Sequence, residues 1–275
     1  MPITVHPFAY EVGPLQLTGF GLAVLLAFVV AQHICVKALE ERGDPHNASV
    51  IPDAVLAAVL GTLVGAKLYY VILTGDPAAF LSRGGFVFWG GFIGAVIACW
   101  IVIRRKGGDF VKISDVAGIA IAGGYAVGRT GCWAVGDDYG RPWSGPLAVR
   151  FPEGAPPSTA ESMARNFGVR FPADVPPTEV IAVHPTQLYE TAMGLAMFLI
   201  LWRLRGHRHA PGWLFGAYCV LAGAERFVVE FFRAKDDRVA AGLTVAQLIA
   251  LAIAAGGAAW MLAKRRPAQP DVAAA

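Results

Sequence analysis

Apolar runs of about 20 residues recur along this chain, and that recurrence limits its fold more than any single motif does. A helix of that length crosses roughly 30 Å of hydrocarbon. Inside hydrocarbon, only helices and closed barrels keep their backbone groups paired. Seven runs can be marked: Leu15–Val36, Ala54–Leu73, Phe86–Ile103, Val111–Val135, Pro185–Trp202, Gly212–Phe232 and Leu243–Ala263. At 56% hydrophobic and 16% charged, the chain is excluded from the ordinary soluble class. The first run is too long for a signal peptide and lacks its basic lead-in. The expected class is all-α, one polytopic membrane domain over residues 1–275 with seven transmembrane helices. The Pro-rich segment 136–183 is too long for a hairpin and is expected as an extracytoplasmic arm over a pocket.

Charge sets the orientation. A net charge of +3, with bases in short clusters between apolar runs, does not point to nucleic acid. One set of loops carries twelve Lys and Arg, including Arg104, Arg105, Lys106, Lys264, Arg265 and Arg266; the other carries eight. Cytoplasmic loops keep positive charge, so the N-terminus is expected outside and the C-terminus in the cytoplasm.

In that frame the polar exceptions converge. Arg129 lies 18 residues beyond Val111, about 27 Å along a helix, and Arg226 lies 14 residues beyond Gly212, about 21 Å. Both fall in the outer half of their spans. His184 precedes the fifth span at its outer end, and Trp89 sits near the outer end of the third. Four distant segments thus reach one level, which a shared pocket explains. Charge at membrane depth marks function unless it is neutralised. Arg226 and Glu230 are an i,i+4 pair, but Arg233 continues that face and gives a positive surplus suited to an anionic guest. Gly128, Gly131 and Gly136 are expected to loosen the helix around Arg129. Lys67, alone in its span, is open to pairing with Glu190 or Glu225 or to touching the ligand.

In His184-Pro185-Thr186-Gln187-Leu188-Tyr189-Glu190, Pro185 suits a first helical position and puts His184 at the cap. An imidazole near carboxylates at an aqueous boundary has the chemistry of a general base, and the plainer reading is a helix cap. Gly61/Gly65 and Gly90/Gly94 have the spacing of close helix contacts. Cys132, beside Arg129, reads as packing before nucleophile. No Cys/His spacing indicates a metal, and no cofactor is expected.

The chain resembles the prolipoprotein diacylglyceryl transferase family over most of its length, and the resemblance rests on four stretches in the same order. Gly128-Arg129-Thr130-Gly131-Cys132-Trp133 with Gly136 and Gly140 is similar to its glycine-arginine signature. His184–Glu190 is nearly its HPSQLYE, Arg226–Arg233 resembles its RFIVEFFR, and Trp89–Gly94 resembles its HGGLIG. The resemblance implies a seven-span enzyme of the bacterial inner membrane. Its donor would be phosphatidylglycerol and its acceptor the lipobox cysteine in the signal-peptide region of an exported prolipoprotein, with glycerol phosphate released. Arg129 and Arg226 would hold the departing phosphate. Glu230, Gly140, Asp137, Tyr189, Glu190 and Trp89 would line the substrate site.

This chain departs from the family at four positions: Trp89 replaces a histidine, Cys132 an asparagine, Asp137 a glutamate and Phe20 a tyrosine. His184 is left as the one histidine within a family motif, and therefore as the expected proton acceptor. Two alternatives keep the same architecture. One is a paralogue with another acceptor; the other is a non-catalytic protein that binds or translocates anionic lipid.

Overall fold

The protein is described from a computed structural model that covers residues 2–12, 15–82, 85–235, 238–240 and 242–266. Its architecture is helical: α1 Gly19–Glu41, α2 Pro45–Thr74, α3 Phe88–Arg105, α4 Phe110–Val135, α5 Ala160–Phe167, α6 Thr186–Leu204, α7 Trp213–Val229 and α8 Val245–Ala263. Each of the seven expected runs contains a long helix, but Leu15–Thr18 and Leu243–Thr244, expected as the starts of the first and last, are strands. Five of them, α1, α2, α3, α4 and α8, are long and apolar enough to cross a membrane. Among the described residues there are three two-stranded ribbons that the hydrophobic pattern did not announce. β1 (Ile3–Thr4) pairs parallel with β4 (Val149–Arg150), and β2 (Ala9–Val12) pairs antiparallel with β3 (Leu15–Thr18). β5 (Arg238–Ala240) pairs antiparallel with β6 (Leu243–Thr244).

The chain divides into two compact units, residues 32–117 and residues 1–31 with 118–275. In the smaller unit α2 and α3 cross at glycines. A Cβ built on Gly65 would lie 2.3 Å from the Gly90 carbonyl oxygen, and one on Gly94 would lie 2.2 Å from that of Gly61. Only glycine lets two backbones approach this closely, which is how apolar helices associate where no hydrophobic force separates them from lipid. α2 starts on Asp44, whose side chain accepts from the Asn47 N–H, with Pro45 in the first turn. Lys67 donates to the Ser82 carbonyl (2.5 Å) and lies over the Phe86 ring.

In the larger unit the first turns of α1 pack on α4. A Cβ on Gly131 would come 2.7 Å from the Ala23 Cβ, and one on Gly19 2.5 Å from the Ala134 Cβ. The expectation that glycines loosen α4 around Arg129 is therefore corrected. The helix runs unbroken to Val135 because its small residues admit α1, and Gly136, at φ 67°, ends it. α7 and α8 meet in the same manner through Gly216, Gly223 and Gly257. α8 begins with a capping box of Thr244 and Gln247.

Segment 136–183 folds around its own core of Tyr139, Val149, Phe151, Met163 and Val183, joined by Ala234. The buried Ser158 hydroxyl accepts from the Phe151 N–H and donates to the Ile181 carbonyl, tying those two stretches together. Backbone bridges Pro142–Val183 and Gly140–Arg233 return it to the starts of the site elements.

Candidate active site

The larger unit gathers Arg129 from α4, Glu190 from α6, Arg226 from the end of α7, and Glu230 and Arg233 just beyond it. Arg129 bonds Asp138 (Nη1–Oδ2, 2.9 Å), Cys132 (Nη1–Sγ, 3.3 Å) and Glu190. Arg233 takes the other Asp138 oxygen (Nη2–Oδ1, 2.9 Å) and lies 3.8 Å from Glu190. Two guanidiniums thus share two carboxylates. Arg226 pairs with Glu230 at 2.6 Å, and Glu230 also lies 3.9 Å from Arg233. Behind this cluster Tyr125 donates to the buried Glu225 (3.1 Å).

The positive surplus read from the sequence is corrected here. Arg129, Arg226 and Arg233 face three ion-paired carboxylates, Asp138, Glu190 and Glu230, because the fold juxtaposes Arg129 with Glu190 across 61 residues of chain and Arg233 with Asp138 across 95. The network is not saturated, however. The buried Arg129 Nε–H has no acceptor among the described residues. A buried donor left unpaired costs about 1–3 kcal/mol, so the site retains an unmet demand for an anionic or polar oxygen.

Asp138 is placed by its backbone. It is the one non-glycine residue at positive φ (53°) among those described, a conformation Asp tolerates better than most. Thr186 Oγ1 donates to its carbonyl and Gln187 Nε2 to that of Asp137, both at 2.6 Å. The first turn of α6 therefore fixes the acidic pair. Arg233 and Arg129 overcome the cost of burial and hold the Asp138 carboxyl below the usual carboxylate range. Asp137 differs: burial pushes it up to about 6, and its Oδ1 has no hydrogen-bond partner among the described residues. Cys132 Sγ and the Asp137 and Asp138 oxygens lie within 4.8 Å of one another. Both Asp138 oxygens are committed to arginines, so this trio does not fit a metal ion.

His184 is not the helix cap that the sequence suggested. The cap position belongs to Pro185, which makes no side-chain cap bond, and α6 starts one residue later. Relieved of capping, the imidazole stacks on Trp143 (centroids 4.3 Å apart, 8° between planes), and its Nδ1 lies 3.2 Å from the Tyr189 hydroxyl. Burial and the nearby Arg141 charge lower its proton affinity below the ordinary imidazole value. The shift favours the neutral imidazole, the form that can accept a proton.

Gly140 contributes space in place of a contact. A Cβ there would lie 2.4 Å from the Phe232 carbonyl and 2.7 Å from the His184 Cβ, and its N–H donates to the His184 carbonyl. Trp89 belongs to the other unit, half-exposed in α3 against Phe88 and Phe92. Sequence reasoning missed Asp138, Trp143 and the extent of Arg233's role. The doublet Asp137-Asp138 next to a glycine-arginine motif was the available signal for the first. Trp143 carried none, because its stack depends on backbone pairing with Ala182.

Comparison with known proteins now adds to this geometry. A sequence model of the family described as prolipoprotein diacylglyceryl transferase matches residues 7–263. The chain is 29% identical to a phosphatidylglycerol–prolipoprotein diacylglyceryl transferase of Nitratidesulfovibrio vulgaris, over 94% of each chain. It is 30% identical to proteins of the same name from Solidesulfovibrio magneticus, over 96% of each chain, and Bordetella avium, over 96% of this chain and 97% of that one. With a match across nearly its whole length, this chain belongs to the prolipoprotein diacylglyceryl transferase family.

Proposed function

We propose that this chain transfers the diacylglyceryl group of phosphatidylglycerol to the lipobox cysteine thiol of exported prolipoproteins. The acceptor sulfur attacks the glyceryl carbon that carries the phosphate. A C–S bond forms, the C–O bond to phosphate breaks, and glycerol phosphate leaves with both bonding electrons. The products are a thioether and a phosphate monoester, and the thiol proton passes to His184. The observation that carries this reading is the unpaired Arg129 Nε–H inside the arginine–carboxylate network. A lipid phosphate oxygen meets that donor, and Asp138, whose side chain is 41% exposed, is the carboxylate free to yield its place. Arg129 and Arg226 then neutralise the charge that develops on the leaving group. Glu190 and Glu230 hold those arginines, Tyr189 orients His184, and Asp137 and Gly140 complete the substrate site.

The reading includes a seven-span topology in the bacterial inner membrane, N-terminus out, as a single membrane domain over residues 1–275. α6 and α7 make up the seven, and segment 136–183 lies outside as an arm over the site. Phosphatidylglycerol of the outer leaflet would then meet the arginines at their own depth. The test is release of glycerol phosphate by purified protein supplied with phosphatidylglycerol and a lipobox peptide, together with rescue of a strain depleted of its own transferase. Release proportional to acceptor supports transfer. Lipid binding or movement with no release at any acceptor concentration would replace it with a carrier.

A further inference from the structure

We propose a second anion site beside the arginine network, a cavity of about 270 Å³ that takes the glycerol phosphate group, either as the donor's headgroup or as the released product. This rests on the transfer reading for the identity of its occupant. Among the described residues its lining contributes five cations, Arg141, Arg170, Arg233, Lys235 and Arg238, against one carboxylate, Glu230. Asp236 and Asp237 lie outside the described residues. Thr244 and Gln247 also line the cavity, and they are the cap and third residue of α8, a 19-residue helix whose N-terminal end carries partial positive charge. At roughly 30 Å³ per water, the space accommodates a solute of about ten heavy atoms, the size of glycerol phosphate.

Position argues for the same occupant. Arg233 and Glu230 belong both to the cavity wall and to the ion-pair network, so the cavity begins where the phosphate arginines end. On its other side Arg141 is held between the site's elements: its N–H donates to the Phe232 carbonyl (2.9 Å), and its carbonyl accepts from the His184 N–H (3.1 Å). A group leaving the reacting carbon beside Arg129 and Arg226 thus meets a cationic space adjoining both the arginines and the imidazole. The lining also includes the apolar residues Pro142, Phe167, Val169, Phe231 and Ala234.

The test uses full-length protein purified in detergent free of phospholipid, titrated calorimetrically with glycerol phosphate, inorganic phosphate and glycerol. Glycerol phosphate should bind, phosphate more weakly, and glycerol not at all. Affinity should fall as salt is raised from about 50 to about 500 mM. The double variant Arg141→Glu/Arg170→Glu should lose about tenfold or more in affinity. If reversal prevents folding, Arg141→Gln/Arg170→Gln should still lose about threefold. Unchanged affinity in the glutamine pair, or equal binding of glycerol and glycerol phosphate, overturns the proposal. Repeating the titration in phosphatidylglycerol nanodiscs separates the two sources. Competition with the lipid assigns the cavity to the headgroup, and undiminished binding assigns it to the product. Because binding is read without turnover, a chain that transfers nothing can still show the site, and an active transferase can still lack it.

Discussion

Arg129 shows why the choice of substitution matters at this site. Its side chain sits in a buried network, and removing one partner of a buried pair costs about 3–5 kcal/mol. Arg129→Ala would therefore fail for structural reasons whatever the chemistry. Arg129→Lys keeps a charge for Glu190 but cannot also span Asp138 and Cys132, since an ammonium has no planar fork. It should fold and lose at least about tenfold in transfer rate, measured on protein of wild-type melting temperature. His184→Gln should abolish transfer while leaving phosphatidylglycerol binding intact. In the wild type the acidic limb of the pH–rate profile should lie below the ordinary imidazole pKa, because burial and Arg141 disfavour the imidazolium. Full activity in His184→Gln would turn attention to Asp137. That carboxyl has its own signature. Its folded pKa, about 6, stands above the ordinary aspartate value of 3.8, so the native state holds a proton that the unfolded chain gives up. Stability from this group is greatest below the unfolded pKa and is lost as pH rises through about 6. Asp137→Asn should then stabilise the protein by roughly 1 kcal/mol at pH 7.5, a shift discounted for partial exposure, and by nothing near pH 3. Melting curves at the two pH values check the sign.

At the scale of elements, the helices were legible in the sequence and their joints were not. Run length and apolarity located all seven long helices to within a few residues at most ends, though α2 begins nine residues before the expected run. The glycine positions divide by what faces them. Gly128 has nothing within 4 Å of a built Cβ, and Gly131 has Ala23 at 2.7 Å and Phe20 at 3.1 Å. Gly128→Ala should therefore be neutral or raise stability by up to about 1 kcal/mol through helix propensity. Gly131→Val should force α1 away from α4 and cost about 1–3 kcal/mol or more. Thermal unfolding in detergent separates the two, and equal effects would mean that α1 and α4 do not meet at Gly131. Spacing alone could not make this distinction, because it does not say what lies opposite.

For the whole molecule, orientation is the claim on which the outer-leaflet chemistry depends. A reporter fused after Arg266 should read cytoplasmic, and one inserted within 136–183 should read external; the reverse result would remove the meeting of phosphatidylglycerol with the arginines. The loop count behind this is twelve against eight, and the cluster Arg233, Lys235 and Arg238 weighs against it. In the structure all three line a cavity beside the site, and Arg233 also belongs to the ion-pair network. Their place on the less basic side thus has a local explanation in anion binding.

By itself the sequence determined the helical class and the seven long helices, because these follow from run length and apolarity. Its motifs, taken as a set, also determined the family. Only the tertiary structure decided the charge balance of the site, since Asp138 and Glu190 reach Arg129 and Arg233 across up to 95 residues of chain. It also decided that His184 is a stacked imidazole of lowered proton affinity instead of a cap. That outcome depends on Trp143 and Arg141, which no periodicity or local spacing could bring to it.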